Sequence, residues 1–352
     1  MTFVMPQKIS ADQLRSATAR LLEAGGLEFG IAEVVADVLT EAELIDRKSH
    51  GVQLLDWYLE DLQAGLMAKS GLPTEVADHG GSLVWDGKNL PGGWIVNQAL
   101  SVAAQRSSRH PVLTIVVRNA HHLGCHAVYL RWAAELRLIS IIMDTNPGFK
   151  AVAPFGGREA LYSPTPVAFG IPTAGDPILI DMSLSSVSLL RAREYWTRGE
   201  RLPELWLLDH EGKPTDDASV LFVEPKGSIL PLGGQLLGHK GFGLALLVYA
   251  LSAGLSGFGA PPIAGTKSAI FLQFLNPALF AGNTAFIGEI TAFVEACRNS
   301  RPAPGAPRVR IPGERAAEAR IRALEDGITL SKASSDILSK WAARLNLRLR
   351  GQ

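Results

Sequence analysis

The chain reads as an α/β protein in which helices drawn from both ends flank a central unit of mixed strands and helices. Three observations predict this. Helical periodicity dominates residues 10–66, apolar runs at 112–117 and 138–143 enclose a helical stretch, and helical character returns after residue 313. A chain of 352 residues, 47% hydrophobic and 19% charged, has the material for two or three units and a sizeable core.

Each element has its own justification. Ser10 is placed to cap the first helix, with Gln13 at capping-box spacing and Leu14, Ala17, Leu21 and Leu22 on one face. Further helices are expected over 31–45 and 52–65. The runs 112–117 and 138–143 read as buried strands around a helix at 126–136, a strand–helix–strand unit. More strands are expected at 167–171, 178–181 and 269–274, and helices at 241–253 and 287–297. The Pro- and Gly-rich stretch 301–307 is a linker, and helices follow at 314–324 and 332–347. The predicted boundaries are a helical part over 1–72, an α/β domain over 73–307, and C-terminal helices over 308–352 that return to the helical part.

Composition narrows the function classes. Lys+Arg and Asp+Glu both number 34, so global charge favours neither nucleic acid nor an anionic membrane. It also opposes self-association only weakly. The two cysteines, Cys125 and Cys297, make no disulfide framework, which points to a reducing, cytoplasmic setting. Residues 1–10 lack the basic and apolar regions of a signal peptide. The longest uncharged run, 241–266, is broken by Gly254, Gly257, Gly259, Pro261 and Pro262. A buried helix and loop are therefore expected rather than a membrane span.

Four segments carry candidate chemistry. Ser49-His50-Gly51 sets an imidazole beside a hydroxyl, fit for proton transfer near neutral pH, or else a helix end in which Gly51 caps and His50 meets the dipole. Residues 119–126 hold His121, His122, Cys125 and His126 after a strand. They read as a ligand-binding turn, a plain turn, or a zinc site, although no H-E-x-x-H or C-x-x-C accompanies them. Gly238-His239-Lys240-Gly241-Phe242-Gly243 reads as a glycine-rich turn that carries a cation into a long helix, suited to a phosphate, or as a loop with a solvated lysine. Asp181, at the end of an apolar strand, is placed to hold a histidine or to cap a turn. No G-x-G-x-x-G occurs, so a dinucleotide would not be held by a Rossmann fingerprint.

In order along the chain, these segments resemble the malate/L-lactate dehydrogenase family that lacks a Rossmann fold, which includes sulfolactate and ureidoglycolate dehydrogenases, diketogulonate reductases and Δ1-piperideine-2-carboxylate reductases. The matching segments also include 144–147, 153–157, 202–206, Asp209, 212–215 and 310–315. The resemblance implies a non-Rossmann, NAD(P)-binding mixed sheet and an NADH- or NADPH-dependent reductase of small 2-oxo acids or cyclic 2-imino acids, active as a homodimer. It implies His50 as proton donor, with Ser49 and Asp181 as its relay. Cofactor contacts would come from His122, Leu123, Gly124, Cys125, His126, Met182, Ser183, His239, Lys240, Gly241, Arg310, Pro312, Gly313, Glu314 and Arg315. No metal is implied.

Two departures bear on the substrate, whose implied contacts are Leu54, Thr145, Asn146, Pro164 and Thr165. The family's carboxylate-binding arginine is Leu54 here, and its Gly-Thr-Asn-Pro turn is Ser163-Pro164-Thr165-Pro166. The hydride chemistry is expected to be kept and substrate recognition altered, towards a substrate without the usual carboxylate or one larger and more apolar around Leu54. Arg47 or Lys48 is an alternative anion contact, and Arg191 or Arg193 could meet a 2′-phosphate. The competing reading is a catalytically silent member that binds nucleotide or a partner.

Overall fold

The computed structural model describes residues 8–259 and 267–348. In chain order the elements are β1 (Lys8–Ile9), α1 (Ala11–Ala24), α2 (Phe29–Leu44), α3 (Leu54–Ala64), β2 (Thr74–Asp78), β3 (Ser82–Asp86), α4 (Gly92–Arg106), β4 (Val112–Ala120), α5 (His126–Glu135), β5 (Ile139–Thr145), β6 (Val167–Ile171), β7 (Ile178–Met182), α6 (Leu189–Arg198), β8 (Leu207–Leu208), β9 (Pro214–Thr215), β10 (Ser228–Ile229), α7 (Gly234–Tyr249), β11 (Ser268–Leu275), α8 (Asn283–Arg298), α9 (Glu314–Asp326), β12 (Ile328–Thr329) and α10 (Lys332–Arg344). The predicted capping box forms: Gln13 N–H donates to Ser10 Oγ and Ser10 N–H to Gln13 Oε1, both at 3.2 Å. Along α2, Ile31, Val35, Val38 and Leu39 follow helical spacing and are all buried. The last turn of α3 closes on Gly65, which takes the left-handed conformation glycine tolerates best.

Seven strands form the main sheet in the order β2-β3-β4-β11-β5-β6-β7. The predicted strand–helix–strand unit is present as β4-α5-β5, but its strands are not neighbours. Strand β11 lies between them and runs antiparallel to both. Because β6 is antiparallel to β5 and β7, and β3 is parallel to β4, the strands β3, β4, β5 and β7 share one direction. Their carboxyl ends therefore line one edge of the sheet, and the turns after β4, β5 and β7 meet there.

Side-chain alternation divides the sheet's faces. Ile115, Val117, Ile142 and Ala168 pack with helices α2, α4 and α5. Val116, Met143, Val167 and Phe271 pack with Ala245 and Val248 of α7. The chain ends come together: Ile9 pairs with Ile328 between β1 and β12, and Arg320 of α9 forms a bidentate contact with Glu41 of α2 at 2.8 and 2.9 Å. Trp341 of α10 is fully buried in the same core as Leu14. Strands β8–β10 and α6, absent from the sequence-based expectations, build a satellite core around Val187, Ala192, Leu207 and Ile229.

Two expectations for the glycine-rich block are corrected. It is not a turn before a helix, because α7 begins at Gly234 and residues 238–243 lie inside it. Nor is the helix buried. Gly238, Gly241, Ala245 and Val248 face inward, while Leu236 is 86% exposed, with Leu246 and Leu247 also exposed. The helical stretch Gly234–Gly254 is long and apolar enough to cross a membrane by length and composition. Pro261 and Pro262 lie outside the described residues.

Crowding explains two of the glycines. A Cβ at Gly241 would lie 2.3 Å from the Leu232 carbonyl oxygen, and one at Gly238 would lie 3.0 Å from the Phe155 ring. Gly241→Ala is expected to lower stability by about 1–3 kcal/mol. Gly30→Ala in α2, where a methyl group meets open space, should raise it by up to about 1 kcal/mol. Urea denaturation of both variants reads the two signs, and a neutral Gly241→Ala would remove close approach as the reason for that glycine.

Candidate active site

His50 sits on a single 3-10 turn, Lys48–His50, between α2 and α3. Gly51 closes this turn by donating its N–H to the Lys48 carbonyl, as the helix-end alternative expected, but at φ −93° rather than in the left-handed conformation. What requires a glycine there is the carboxylate of Glu43 behind the turn, 2.6 Å from where a Cβ would stand. Glu43 accepts the Val52 N–H at 3.0 Å and the Ser334 hydroxyl of α10 at 3.4 Å, while its second oxygen has no partner among the described residues. Burial pushes this carboxyl up to about 7, against the Val52 N–H and the charge of Lys48.

On the open side of the turn, Ser49 Oγ and His50 Nδ1 are 2.9 Å apart. The predicted relay is half present as a hydrogen-bonded pair. Asp181 does not bond the His50 ring; it accepts the Ala127 N–H at 3.0 Å and acts on His50 through space. Burial lowers the His50 pKa, Asp181 partly restores it, and His126 and Arg47 lower it further.

The turn after β4 brings three histidines to this edge, each with its own partner. His121 Nε2 is 2.8 Å from the Asp61 carboxylate, and His122 Nδ1 is 2.9 Å from the Tyr58 hydroxyl, both partners lying on α3. The His122 and His50 rings stack with centroids 6.3 Å apart. Burial, reinforced by the neighbouring histidines, holds His122 well below its ordinary pKa, so it is a neutral imidazole. Leu123 offers its carbonyl to the Tyr129 hydroxyl, and Gly124 takes a positive φ of 78°. Burial pushes the Cys125 thiol up to about 12, so it stays protonated.

His126 opens α5 between two carboxylates. Its Nε2 lies 2.9 Å from Asp144, close but poorly aligned for a hydrogen bond, and its Nδ1 lies 3.9 Å from Asp181. Burial lowers its pKa, but Asp144 and Asp181 outweigh that and the net shift is upward. The zinc alternative does not match this arrangement: among the described residues no three His, Cys, Asp or Glu side chains are grouped so as to hold a metal ion.

The substrate-side residues form a connected loop. Thr145 Oγ1 and Ser163 Oγ are 3.1 Å apart, and Asn146 N–H donates to Ser163 at 3.2 Å. Pro164 accepts the Leu184 N–H, and Leu184 accepts that of Leu232, each at 2.9 Å. This joins the turn after β7, where Ser183 bonds Ser185, to the loop under Gly241. Thr165 is fully buried in the left-handed region at φ 40°, and its hydroxyl has no partner among the described residues. Leu54 begins α3 and packs, partly buried, on the helical core. His239 meets the Phe155 ring edge-on, while Lys240 and Met182 are exposed.

Some predicted contacts are not gathered here. Pro312 bonds Leu179 N–H at 3.1 Å, at the amino end of β7, and Gly313 crowds the same residue. Pro312 and Glu314 line a cleft of about 390 Å³ with Pro177, Ile178 and Arg308, separate from the turn of His50. Arg310 pairs with Glu318, Arg298 holds Glu314, and Arg315 is exposed. Arg191 and Arg193 lie over the rings of Trp206 and Phe222. Four contributors were missed as site residues: Asp144, Tyr58, Asp61 and Glu43. Asp144 carried a signal, a carboxylate ending an apolar strand, as Asp181 does. The other three are helical positions whose partners are remote in sequence.

The parallel strands β4, β5 and β7 of this mixed sheet thus lead to one edge, where His126, Asp144 and Asp181 gather. The sequence profile of the malate/L-lactate dehydrogenase family matches residues 9–339, and the chain belongs to that family. It is accordingly an NAD(P)-dependent oxidoreductase. It is 32% identical over 349 residues to an L-lactate dehydrogenase of Cupriavidus necator, covering 97% of this chain and 98% of that one. It is 31% identical to a malate dehydrogenase of Pyrococcus abyssi, covering 97% and 96%. The crystal structure of Δ1-piperideine-2-carboxylate reductase from Pseudomonas syringae pvar. tomato superposes with a TM-score of 0.84 at 25% identity, over 96% of this chain and 100% of that one.

Glu43 generates a stability prediction. Its folded pKa is raised from 4.5 to about 7, so the native state binds the proton more tightly than the unfolded chain. Its contribution therefore falls as pH rises from the unfolded value through the folded one, by roughly 3 kcal/mol in all. Relative to Glu43→Gln, wild type should lose that much between pH 4.5 and 7.5 in urea melts. A constant difference across the range would reject the assignment.

Proposed function

We propose that the protein is an NAD(P)H-dependent reductase that delivers hydride to the C=O of a 2-oxo acid or the C=N of a cyclic 2-imino acid, with His50 as proton donor. The observation that carries this reading is the His50 turn: an imidazole held by Ser49, stacked on a neutral histidine and facing the field of Asp181. The named activities of the relatives, lactate and malate dehydrogenases and an imine reductase, support the same chemistry.

The residues present fit a nicotinamide dinucleotide. Among the described residues Lys240 is exposed and makes no ion pair and the Thr165 hydroxyl is buried without a partner, while Gly238 and Gly241 keep the α7 backbone close to its supporting loop. His239, Lys240, Met182, Ser183 and the 122–126 turn would hold it. When bound, the reduced nicotinamide supplies the hydride. The protein's own part is to orient and to move a proton. Ser49 fixes the His50 ring through Nδ1, leaving Nε2 to deliver the proton to the developing alkoxide or amine. Asp181 stabilises the charged imidazole before transfer. NADH or NADPH fills this role.

Recognition differs at Leu54, an aliphatic side chain in place of a cation, which suits a larger and more apolar substrate. The exposed leucines of α7, namely Leu236, Leu244, Leu246 and Leu247, support a homodimer formed over that helix. Sedimentation should give a dimer, and Leu236→Asp with Leu247→Asp should give monomer; a monomeric wild type would reject the interface.

Reduction should be followed as loss of nicotinamide absorbance with 2-oxo acids, cyclic 2-imino acids and uncarboxylated analogues. His50→Ala is expected to lower kcat by about 100-fold or more. Activity unchanged in that variant would sink the mechanism. Reduction needs His50 protonated, so kcat/KM should fall as pH rises through a pKa below the ordinary 6.5. Asp181→Asn removes the charge that raises this value, so the fall should move to lower pH. An unmoved profile would exclude Asp181 from the proton's environment.

A further inference from the structure

The chemistry proposed above acts beside a carboxylate, yet near His50 two carboxylates stand against the single imidazole of His126. Asp144 and Asp181 both lie at this edge, and Leu54 offers no cation. The substrates named for the relatives, lactate, malate and a piperideine-2-carboxylate, each carry a carboxylate on the carbon that reacts. A substrate of that kind needs a positive group near His50 to enter.

Two cations belong to the turn, and they are disposed differently. Lys48 lies 3.5 Å from the Asp46 carboxylate, and its charge acts on Glu43 behind the turn. Arg47 starts the turn, and its carbonyl accepts the His50 N–H at 2.8 Å. Its side chain is exposed and has neither an ion pair nor a hydrogen bond among the described residues. Arg47 therefore places an exposed cation at the amino end of the turn that carries His50. An unpaired guanidinium is the side chain best matched to a planar carboxylate.

Resting on the reductase reading, we infer that Arg47 is the substrate-carboxylate contact of this site, and that the site takes 2-oxo or cyclic 2-imino acids whose apolar side chain lies on Leu54. The acid group is met from the amino end of the His50 turn, and Leu54 is left to select a hydrocarbon substituent. Arg47 touches the substrate and takes no part in proton transfer.

The test is steady-state kinetics of Arg47→Ala, Arg47→Lys and Lys48→Ala with pyruvate, the bulkier 4-methyl-2-oxopentanoate, and uncharged methyl pyruvate. Wild type should prefer 4-methyl-2-oxopentanoate to pyruvate. Arg47→Ala should raise KM for both acids by about 30-fold or more, with kcat and the KM of the reduced nucleotide little changed. Methyl pyruvate should be unaffected, Arg47→Lys should recover part of the loss, and Lys48→Ala should match wild type. An unchanged KM in Arg47→Ala, an equal loss with the ester, or the same loss in Lys48→Ala would overturn the assignment. If wild type reduces none of these compounds and does not reduce Δ1-piperideine-2-carboxylate, the reductase reading fails separately. Calorimetric titration of oxamate with NADH present then decides the contact by itself. Binding lost in Arg47→Ala upholds it, and equal binding, or no binding to either protein, overturns it.

Discussion

The arrangement of the site depends on His126 being held between Asp144 and Asp181. These carboxylates end two parallel strands, and the histidine opens the helix that follows a third. Burying a charge is costly unless it is paired, and here the pair also fixes geometry. The contact ties the first turn of α5 to the ends of β5 and β7, and so determines where the Asp181 charge sits. From that position Asp181 takes the Ala127 N–H and sets the electrostatic field felt by His50. Removing one partner would leave an uncompensated buried charge, an effect of about 3–5 kcal/mol.

The sheet provides carboxylates, and the helical layer provides the proton-carrying residue. His50 arrives on a turn braced from behind by Glu43, which also contacts α10 near the other chain end. Helix α3 follows and sends Tyr58 and Asp61 to the two histidines of the next turn. Residues of one helix thus orient both rings, of which His122 stacks on His50, a long-range consequence of packing α3 over the carboxyl edge. The geometry needed for proton transfer is shared between two layers, and neither layer holds it alone.

Helix α7 answers to a different constraint. Its inner face is made of glycine and alanine because loop backbone and the sheet lie close beneath it. Its outer face is leucine, which a single chain leaves in water. Such a surface is costly unless it is covered, and the zero net charge does little to keep two copies apart. Placing His239 and Lys240 on this helix, between a crowded face and an apolar one, makes the phosphate-suited residues depend on the rigidity of both.

Local signals in the sequence were enough for the fold class and for most helices and buried strands. Capping, periodicity and apolar runs act over a few residues, so they can be read directly, as the Ser10 box and strands β4 to β7 demonstrate. The insertion of β11 between β4 and β5 could not be read, because it joins segments more than 100 residues apart. The 238–243 block was misread because six residues rich in glycine favour a turn locally, whereas packing against Leu232 and Phe155 keeps them helical. The Asp181 relay was read as a bond because the sequence pairs residue types without distances. Only the tertiary structure gave Asp181 to Ala127 and His126, Tyr58 to His122, and Glu43 to the turn beneath His50, since each partnership is a contact across elements that only folding brings together.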